Sequence, residues 1–398
     1  MEDGLVAFAG TDPEFVRLYG EAPALGERVL DGSGNTAVPG FVDAHTHLPW
    51  EGFREDEFNR RLKGETYAEI AVKGGGILAT VSATRAASEE TLRRNVRQRL
   101  DLMLKHGTTF CEAKTGYGLD LPNEKKQLRA LLSAAKGHPV GVAPTALPAH
   151  EVPPERRGSD ALRRRYVEEC RAEILPALAD GGARFVDVFC EEGVFSLEES
   201  RTILEAGKAL GLAPRIHADE LTPLGGALLA ADVSALSADH LLYATDEGID
   251  AMAKAGVVAT LLPGTSVFLR MNRYARARRM VERGVAVALG TDCNPGSSYT
   301  ESLPAVAFLA SVGMGLTAEE ALTAMTLNAA ASVDEAKVRG SLEPGKRADV
   351  VLLDAPSLEH LVYHWGVNLV TDVFAGGEHV ISHGDLLIWN DPSRWTRP

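Results

Sequence analysis

The stretch Val38-Pro-Gly-Phe-Val-Asp-Ala-His45 is an apolar, β-branched run that leads directly into Thr46 and His47. Similar short runs recur along the chain, and longer stretches with the apolar spacing of amphipathic helices separate them. The predicted strands are Val38–His45, Thr108–Lys114, Val140–Leu147, Phe185–Cys190, Pro214–His217, Ala235–His240, Val257–Leu262 and Val285–Gly290. Strand–helix units repeated in this way build a parallel sheet, and eight of them predict an α/β fold, a closed (β/α)₈ TIM barrel.

Helix signals fill the intervals between these strands. The stretch Leu197–Leu210 begins with a capping box at Ser196 and Glu199 and ends before Gly211. Other predicted helices are Glu89–Lys105, Glu301–Val312 and Ala318–Ala331.

The C-terminal part of the chain has a different pattern. Ala348–Leu353, Leu369–Phe374 and His379–Ser382 are predicted strands, and no helix between them is long enough for a parallel crossover. We therefore expect an antiparallel sheet that pairs with residues 1–35. The predicted domains are residues 1–35 and 336–398, which form a small flanking β-sandwich domain from both termini, and residues 36–335, which form the barrel.

Composition excludes several classes of partner. The chain of 398 residues has 41 Lys and Arg against 55 Asp and Glu, a formal net charge of −14, which disfavours nucleic acid and anionic membranes. Apolar residues make up 45% and charged residues 24%, as in soluble globular proteins, and no apolar run approaches the length of a membrane span. The four cysteines have no CxxC spacing, so we expect a cytoplasmic location.

Polar side chains collect where the predicted strands end. His45 and His47 are two residues apart, so strand alternation directs both to the same side. The other polar strand ends are His217-Ala-Asp-Glu220, Asp239-His240 and Asp292-Cys-Asn294-Pro-Gly296. Reactive groups of a TIM barrel lie at this face, and three imidazoles with a carboxylate suit zinc or iron. A His-x-His pair alone is often a solvated or buried structural pair, whereas the combination predicts a metal site.

This order of residues resembles the amidohydrolase superfamily, metal-dependent hydrolases built on such a barrel with a flanking β domain. The stretch Gly340–Asp349 is similar to the superfamily's usual return to that domain. Two-metal members use a carboxylated lysine at the end of the fourth strand, and Phe185–Glu191 contains no lysine. The resemblance therefore implies one divalent ion, zinc or iron, bound by His45, His47, His217 and Asp292, with His240 free to polarise the substrate. Lys114, on the second strand, is interpreted as a structural or supporting residue.

Six loop segments resemble one family within the superfamily, the imidazolonepropionases of histidine degradation. They are Gly52-Phe-Arg54-Glu55-Asp-Glu57-Phe58, Gly74-Gly-Gly-Ile77-Leu-Ala-Thr80-Val, Lys114-Thr-Gly-Tyr117-Gly-Leu, Ala149-His150-Glu-Val-Pro153-Pro154-Glu155, Leu236-Ser-Ala-Asp-His240 and Asp292-Cys-Asn294-Pro-Gly296-Ser297. The similarity runs from about residue 36 to 375. Family members usually carry a longer segment before residue 4, so we expect a flanking domain trimmed by one strand or a misassigned start codon.

The resemblance implies that the substrate is a small anion. Its implied contacts are Arg54, Tyr117, His150, Glu220, Asn294, Gly296 and Ser297. A guanidinium can hold a carboxylate through two hydrogen bonds, with a phenol or imidazole as a further donor. Simpler interpretations are a surface ion pair of Arg54 with Glu55 or Glu57, rim packing for Tyr117 and turn capping for His150.

The implied reaction is hydrolysis of the ring C–N bond of 4-imidazolone-5-propanoate to N-formimidoyl-L-glutamate by metal-activated water. The implied catalytic residues are Glu220, His240 and Asp292, and how Glu220 and Asp292 divide the proton transfers stays open. One alternative is a cyclic-amidine deaminase of guanine or cytosine type, which would release ammonia. Another is a non-catalytic scaffold that kept the fold. A homodimer is an expectation by analogy.

Overall fold

The computed structural model describes residues 1–20, 29–65, 69–70 and 74–387. Its strands are β1 Thr36–Pro39, β2 Phe41–Asp43, β3 Thr108–Lys114, β4 Gly141–Ala149, β5 Phe185–Cys190, β6 Ala213–Ala218, β7 Ser237–His240, β8 Val258–Leu261, β9 Val287–Leu289, β10 Val350–Leu353, β11 Val370–Ala375, β12 Glu378–Ser382 and β13 Asp385–Leu386. Strands β2 to β9 form a parallel sheet in chain order, whereas β1 and β10 to β13 form an antiparallel sheet. The predicted TIM barrel with a flanking β domain is confirmed.

Most helices cover the outside of the barrel or follow its last strand, whereas the first precedes the barrel in the chain. They are α1 Asp12–Tyr19, α2 Glu55–Leu62, α3 Ile77–Ala86, α4 Glu89–Lys105, α5 Leu121–Ala135, α6 Asp160–Glu169, α7 Leu175–Asp180, α8 Leu197–Ala209, α9 Gly226–Asp232, α10 Asp246–Ala255, α11 Pro263–Phe268, α12 Ala277–Glu282, α13 Leu303–Met314, α14 Ala318–Ala324, α15 Leu327–Ser332 and α16 Glu359–Tyr363. A π-helical turn, Cys170–Ile174, joins α6 to α7. Among the described residues, no helix combines the length and apolarity that a membrane crossing needs.

The barrel closes between its last and first strands through the residues that follow them. The Ala44 amide donates to the Leu289 carbonyl at 3.4 Å, the Asp292 amide to the His45 carbonyl at 2.9 Å and the His47 amide to the Cys293 carbonyl at 3.1 Å. We call this set of contacts the closure seam. It places two polar strand ends, one from each side, next to each other.

The first predicted strand, Val38–His45, is wrong as a single element. Thr36–Pro39 (β1) pairs antiparallel with β10, whereas Phe41–Asp43 (β2) pairs parallel with β3. Gly40 lies at the change of sheet, and a Cβ atom there would approach Thr109 Oγ1 to 2.3 Å. Only glycine fits this close approach. We propose that the domain boundary lies at Gly40 rather than before residue 36.

Two helical predictions also need correction. The predicted helix Ala318–Ala331 is two helices, α14 and α15, because the backbone leaves helical geometry at Thr326. Helix α1 was not predicted, although Thr11 and Glu14 form a capping box at its start. The N-terminal segment reaches the flanking sheet through residues before α1, where the Val6 amide donates to the Lys346 carbonyl.

The barrel interior carries charge as well as apolar side chains. Glu112, Lys114, Asp187, Arg215 and Asp239 are fully buried on strands β3, β5, β6 and β7. Burial of charged groups is costly unless they are paired, and these form ion pairs with one another. This buried layer lies directly beneath the polar strand ends.

Candidate metal centre and substrate pocket

The histidines and the aspartate predicted as ligands meet at the C-terminal face of the barrel. His45 Nε2 lies 3.3 Å from His47 Nε2. Asp292 Oδ1 lies 3.6 Å from His45 Nε2 and 3.4 Å from His47 Nε2. These contacts cross the closure seam, so the fold itself brings residues from opposite ends of the barrel sequence together.

The other two histidines complete the cluster. Ligand atoms of His45, His47 and His217 lie within 4.8 Å of one another, and so do those of His45, His240 and Asp292. All five side chains are buried. His240 therefore lies beside the predicted ligands, and it also lines the cavity described below.

The donor set fits a divalent cation. Burial lowers the pKa of His45 and His47 well below the usual range, and the nearby Lys114 ammonium lowers both further. Both rings are therefore neutral and hold a lone pair. His217 Nε2 is buried and has no hydrogen-bond partner among the described residues. Several buried imidazole nitrogens and one carboxylate oxygen facing a common point match the ligands of zinc or iron.

Asp292 is fixed so that one oxygen faces the histidines. Its backbone has φ 52°, in the left-handed region, where it turns the side chain out of the strand direction. Its Oδ2 accepts hydrogen bonds from Thr265 Oγ1 at 2.6 Å and Ser297 Oγ at 3.3 Å. Asp292 Oδ1 is therefore available to bind a cation together with the histidines. Sequence reasoning missed Thr265, which lies in α11 after β8.

A cavity of about 170 Å³ opens over the cluster. Its lining includes every residue that the resemblance implied as a substrate contact, namely Arg54, Tyr117, His150, Glu220, Asn294, Gly296 and Ser297. Apolar side chains of Ile77, Phe189, Leu221, Leu269 and Met271 form the remaining wall. The cavity thus joins the histidine and aspartate cluster, one guanidinium and an apolar wall, which suits a small anionic ring.

Arg54 makes the ion pair that the simpler interpretation proposed, but inside the protein. Its Nε and Nη2 donate to Glu57 Oε2 at 3.0 and 2.8 Å, and both side chains are buried. Glu57 Oε1 in turn accepts from the Gly76 amide at 3.1 Å. Glu57 therefore anchors the guanidinium at the cavity, a role that the sequence did not reveal.

His150 and Tyr117 lie together in the cavity wall. His150 Nδ1 lies 3.0 Å from the Gly116 carbonyl oxygen, to which it donates, and its ring stacks on His47 at 4.9 Å. The Tyr117 ring centroid lies 5.2 Å from that of His150. Turn capping and cavity lining are thus both present at His150, and they involve different atoms of the same ring.

The turn after Asp292 is shaped by Asn294. Its Oδ1 accepts from the amides of Gly296 and Ser297, both at 2.8 Å, and its Nδ2 donates to the Asp292 carbonyl at 2.6 Å. The amide group is therefore occupied within the turn. Asn294 fixes the backbone of the cavity floor.

Glu220 and His240 form an acid and a neutral base at the cavity. Glu220 Oε2 lies 3.5 Å from His240 Nε2. Burial, and then the charges of Asp292 and Glu191, raise the pKa of Glu220 well above its usual range. Burial lowers the pKa of His240 to about 3. At neutral pH Glu220 therefore carries a proton that it can donate, and His240 is uncharged.

Comparison with known proteins agrees with this geometry. Residues 36–380 match the amidohydrolase family. An imidazolonepropionase of a Geobacillus species is 50% identical over 388 residues, which cover 97% of this chain and 90% of the relative. The imidazolonepropionase of Symbiobacterium thermophilum is 50% identical over 386 residues, covering 96% and 90%.

Solved structures support the fold. Atrazine chlorohydrolase of Arthrobacter aurescens, complexed with zinc, superposes with a TM-score of 0.74 at 17% identity over 99% of this chain and 92% of the other. N-isopropylammelide isopropylaminohydrolase of Burkholderia multivorans gives 0.72 at 22% identity, over 97% and 95%. On the sequence relatives and the family match together, the chain belongs to the amidohydrolase family, in the branch formed by the imidazolonepropionases.

Proposed function

We propose that this protein hydrolyses the ring C–N bond of 4-imidazolone-5-propanoate and releases N-formimidoyl-L-glutamate, the third step of histidine degradation. The observation that carries the proposal is the single cavity that joins the His/Asp cluster to the buried guanidinium of Arg54. A substrate with a reactive ring and a carboxylate on a short side chain has both features. The 50% sequence identity to imidazolonepropionases supports the same reaction.

A divalent cation bound by His45, His47, His217 and Asp292 would lower the pKa of a water molecule at the site to about 7. Asp292 Oδ1 is placed to accept the proton that this water loses as it adds to the ring carbonyl carbon. The neutral His240 ring donates a hydrogen bond to the oxygen that becomes negative. Glu220 gives its proton to the ring nitrogen as the C–N bond breaks. In this proposal Asp292 is therefore the proton acceptor and Glu220 the proton donor.

The substrate carboxylate binds Arg54 in this proposal. Replacing Arg54 with alanine should raise KM by about 10- to 100-fold, because hydrogen bonds to charged groups contribute about 1.5–3 kcal/mol. Steady-state kinetics with the propanoate substrate give the measurement. Arg60→Ala is the control, since Arg60 lies in α2, which begins directly after Arg54, and pairs with Glu65 outside the cavity. An unchanged KM in Arg54→Ala would contradict the role.

Gly296 lies against Arg54, which provides an independent variant. A Cβ atom at Gly296 would lie 2.0 Å from Arg54 Nη1, so Gly296→Ala must displace the guanidinium. We expect KM to rise while the thermal unfolding temperature changes little, because alanine fits this backbone conformation. A variant with normal KM would show that the guanidinium position does not govern binding.

Several finer points are part of the proposal. The metal is zinc or iron, because the same nitrogen and oxygen ligands accept both. The partner is a small anionic molecule, and the net charge of −14 disfavours nucleic acid. We also propose a cytoplasmic location and a homodimer.

The test uses protein stripped of metal by a chelator and then reloaded with zinc or iron(II). The ultraviolet absorbance of fresh imidazolonepropionate is followed while free ammonia is assayed in parallel. Metal-dependent decay without ammonia is the expected result. Ammonia release would favour the cyclic-amidine deaminase, and reloaded protein that leaves the substrate unchanged would contradict hydrolysis.

A further inference from the structure

Lys114 lies at the centre of the buried layer beneath the metal centre. Its Nζ is 2.9 Å from Glu112 Oε1, 2.9 Å from Asp187 Oδ2 and 3.9 Å from Asp239 Oδ2, and its side chain is fully buried. The mechanism above uses none of these groups. An ammonium surrounded by three carboxylates still requires an explanation, because removing these charges from water can cost more free energy than their attraction returns.

The two aspartates each hold one histidine of the metal centre. Asp239 Oδ2 lies 2.6 Å from His45 Nδ1, and Asp187 Oδ2 lies 3.1 Å from His217 Nδ1. In the His45 pair the carboxylate accepts a hydrogen bond from Nδ1, which leaves the lone pair on Nε2. In the His217 pair the two atoms lie within ion-pair distance. His45 Nε2 faces His47. His217 Nε2 has no hydrogen-bond partner among the described residues. The contacts thus set the tautomer of His45 and hold the ring orientation of both ligands.

Both aspartates are paired with buried cations. Asp239 has a second cation, because Arg215 Nη2 donates to its Oδ2 at 3.1 Å. Among the described residues, Lys114 alone contacts both aspartates within ion-pair distance.

We propose that Lys114 is a positioning residue that orients two metal ligands at once, by holding Asp187 against His217 and Asp239 against His45. One ammonium thereby couples ligands from barrel strands β2 and β6, which are not neighbours. The inference rests on the proposed metal site but not on the identity of the substrate.

The experiment measures zinc affinity by competition with a chromophoric chelator, and the absorption spectrum of cobalt(II) in the same site. Lys114→Met removes the ammonium and keeps the length of the side chain. Lys114→Met combined with Glu112→Gln also removes one carboxylate, so the layer keeps its net charge and is the safer variant to fold. Arg339→Met is the control, because it removes a cation that pairs with buried Asp349 beside the flanking sheet.

Both Lys114 variants should bind zinc about 10- to 100-fold more weakly, the usual effect of losing a partner of a metal-binding histidine. The cobalt absorption bands should shift in both. Arg339→Met should lower the unfolding temperature and leave the zinc affinity and the cobalt spectrum as in the parent protein. If the role of Lys114 were only structural, its variants would likewise lower the unfolding temperature without changing the zinc affinity or the cobalt spectrum.

The proposal is overturned if the folded double variant binds zinc like the parent, or if Arg339→Met weakens zinc equally. It is also overturned if neither Lys114 variant folds with excess zinc, since the role would then be stability. Tight zinc binding without hydrolysis by the parent would refute the proposed function and leave this inference standing. Hydrolysis together with unchanged affinity in the double variant would refute only the inference.

Discussion

Asp292→Asn is expected to lower kcat by about 10²- to 10⁴-fold, the usual effect of removing a general base. Asp292 Oδ1 lies 3.4 Å from His47 Nε2, while Oδ2 is held by Thr265 and Ser297. Asparagine keeps the shape and one oxygen but cannot accept the proton of the attacking water. The barrel should stay folded, because the backbone contacts of the closure seam do not use this side chain. Steady-state turnover and circular dichroism of the purified variant give the measurement.

Thr265→Val is the matched control for Asp292. It removes one hydrogen bond to Oδ2 and leaves the carboxylate, so kcat should fall about tenfold or less, in line with a net contribution of about 1 kcal/mol. Turnover of Asp292→Asn close to that of the parent would discard the assigned base.

Glu220→Gln is expected to reduce kcat to a similar extent and to change its pH dependence. Glu220 acts in its protonated form, so activity of the parent should be lost as the pH rises through the raised pKa of this carboxyl. Glutamine cannot donate a proton to the leaving nitrogen, so the variant should lack that alkaline decline. The measurement is kcat across the pH range in both proteins.

Glu192→Gln provides the comparison for Glu220, because Glu192 is an exposed carboxylate on the loop after β5. It should keep the kcat and the pH profile of the parent. An alkaline decline that persists in Glu220→Gln would assign the proton donor to another group.

The barrel and the centre of the site could be predicted because the signals are local. Each polar strand end, such as His45 with His47, stands beside the apolar run that identifies its strand. A TIM barrel gathers those ends at one face, so strand order was enough to bring His217, His240 and Asp292 together.

The residues that support the site could not be predicted, because their contacts depend on three-dimensional register. Asp187 lies inside an apolar strand and Asp239 directly precedes His240 at a polar strand end, and nothing in the sequence shows which histidine each one faces. Thr265 reaches Asp292 from a helix after a different strand. Glu57 was seen as a possible partner of Arg54, but its burial at the cavity was not visible.

Two errors in the fold have local causes. The run around Pro39 and Gly40 is continuously apolar, so periodicity could not show that the chain changes sheets there. Helix α1 is only eight residues long, so the apolar spacing of Phe15, Leu18 and Tyr19 is too short to identify a helix by periodicity. The capping box formed by Thr11 and Glu14 was the sequence signal that could have identified this helix.

The closure seam also has a consequence for how the protein matures. His45 and Asp292 belong to strands at opposite ends of the barrel sequence, and their backbones bond directly across the seam. Contacts so distant along the chain form late in folding, because the intervening loop must first be ordered. A nascent chain that has built only its early strands holds half of the ligands. We therefore expect a metal ion to bind only after the last strand has been synthesised and the barrel has closed.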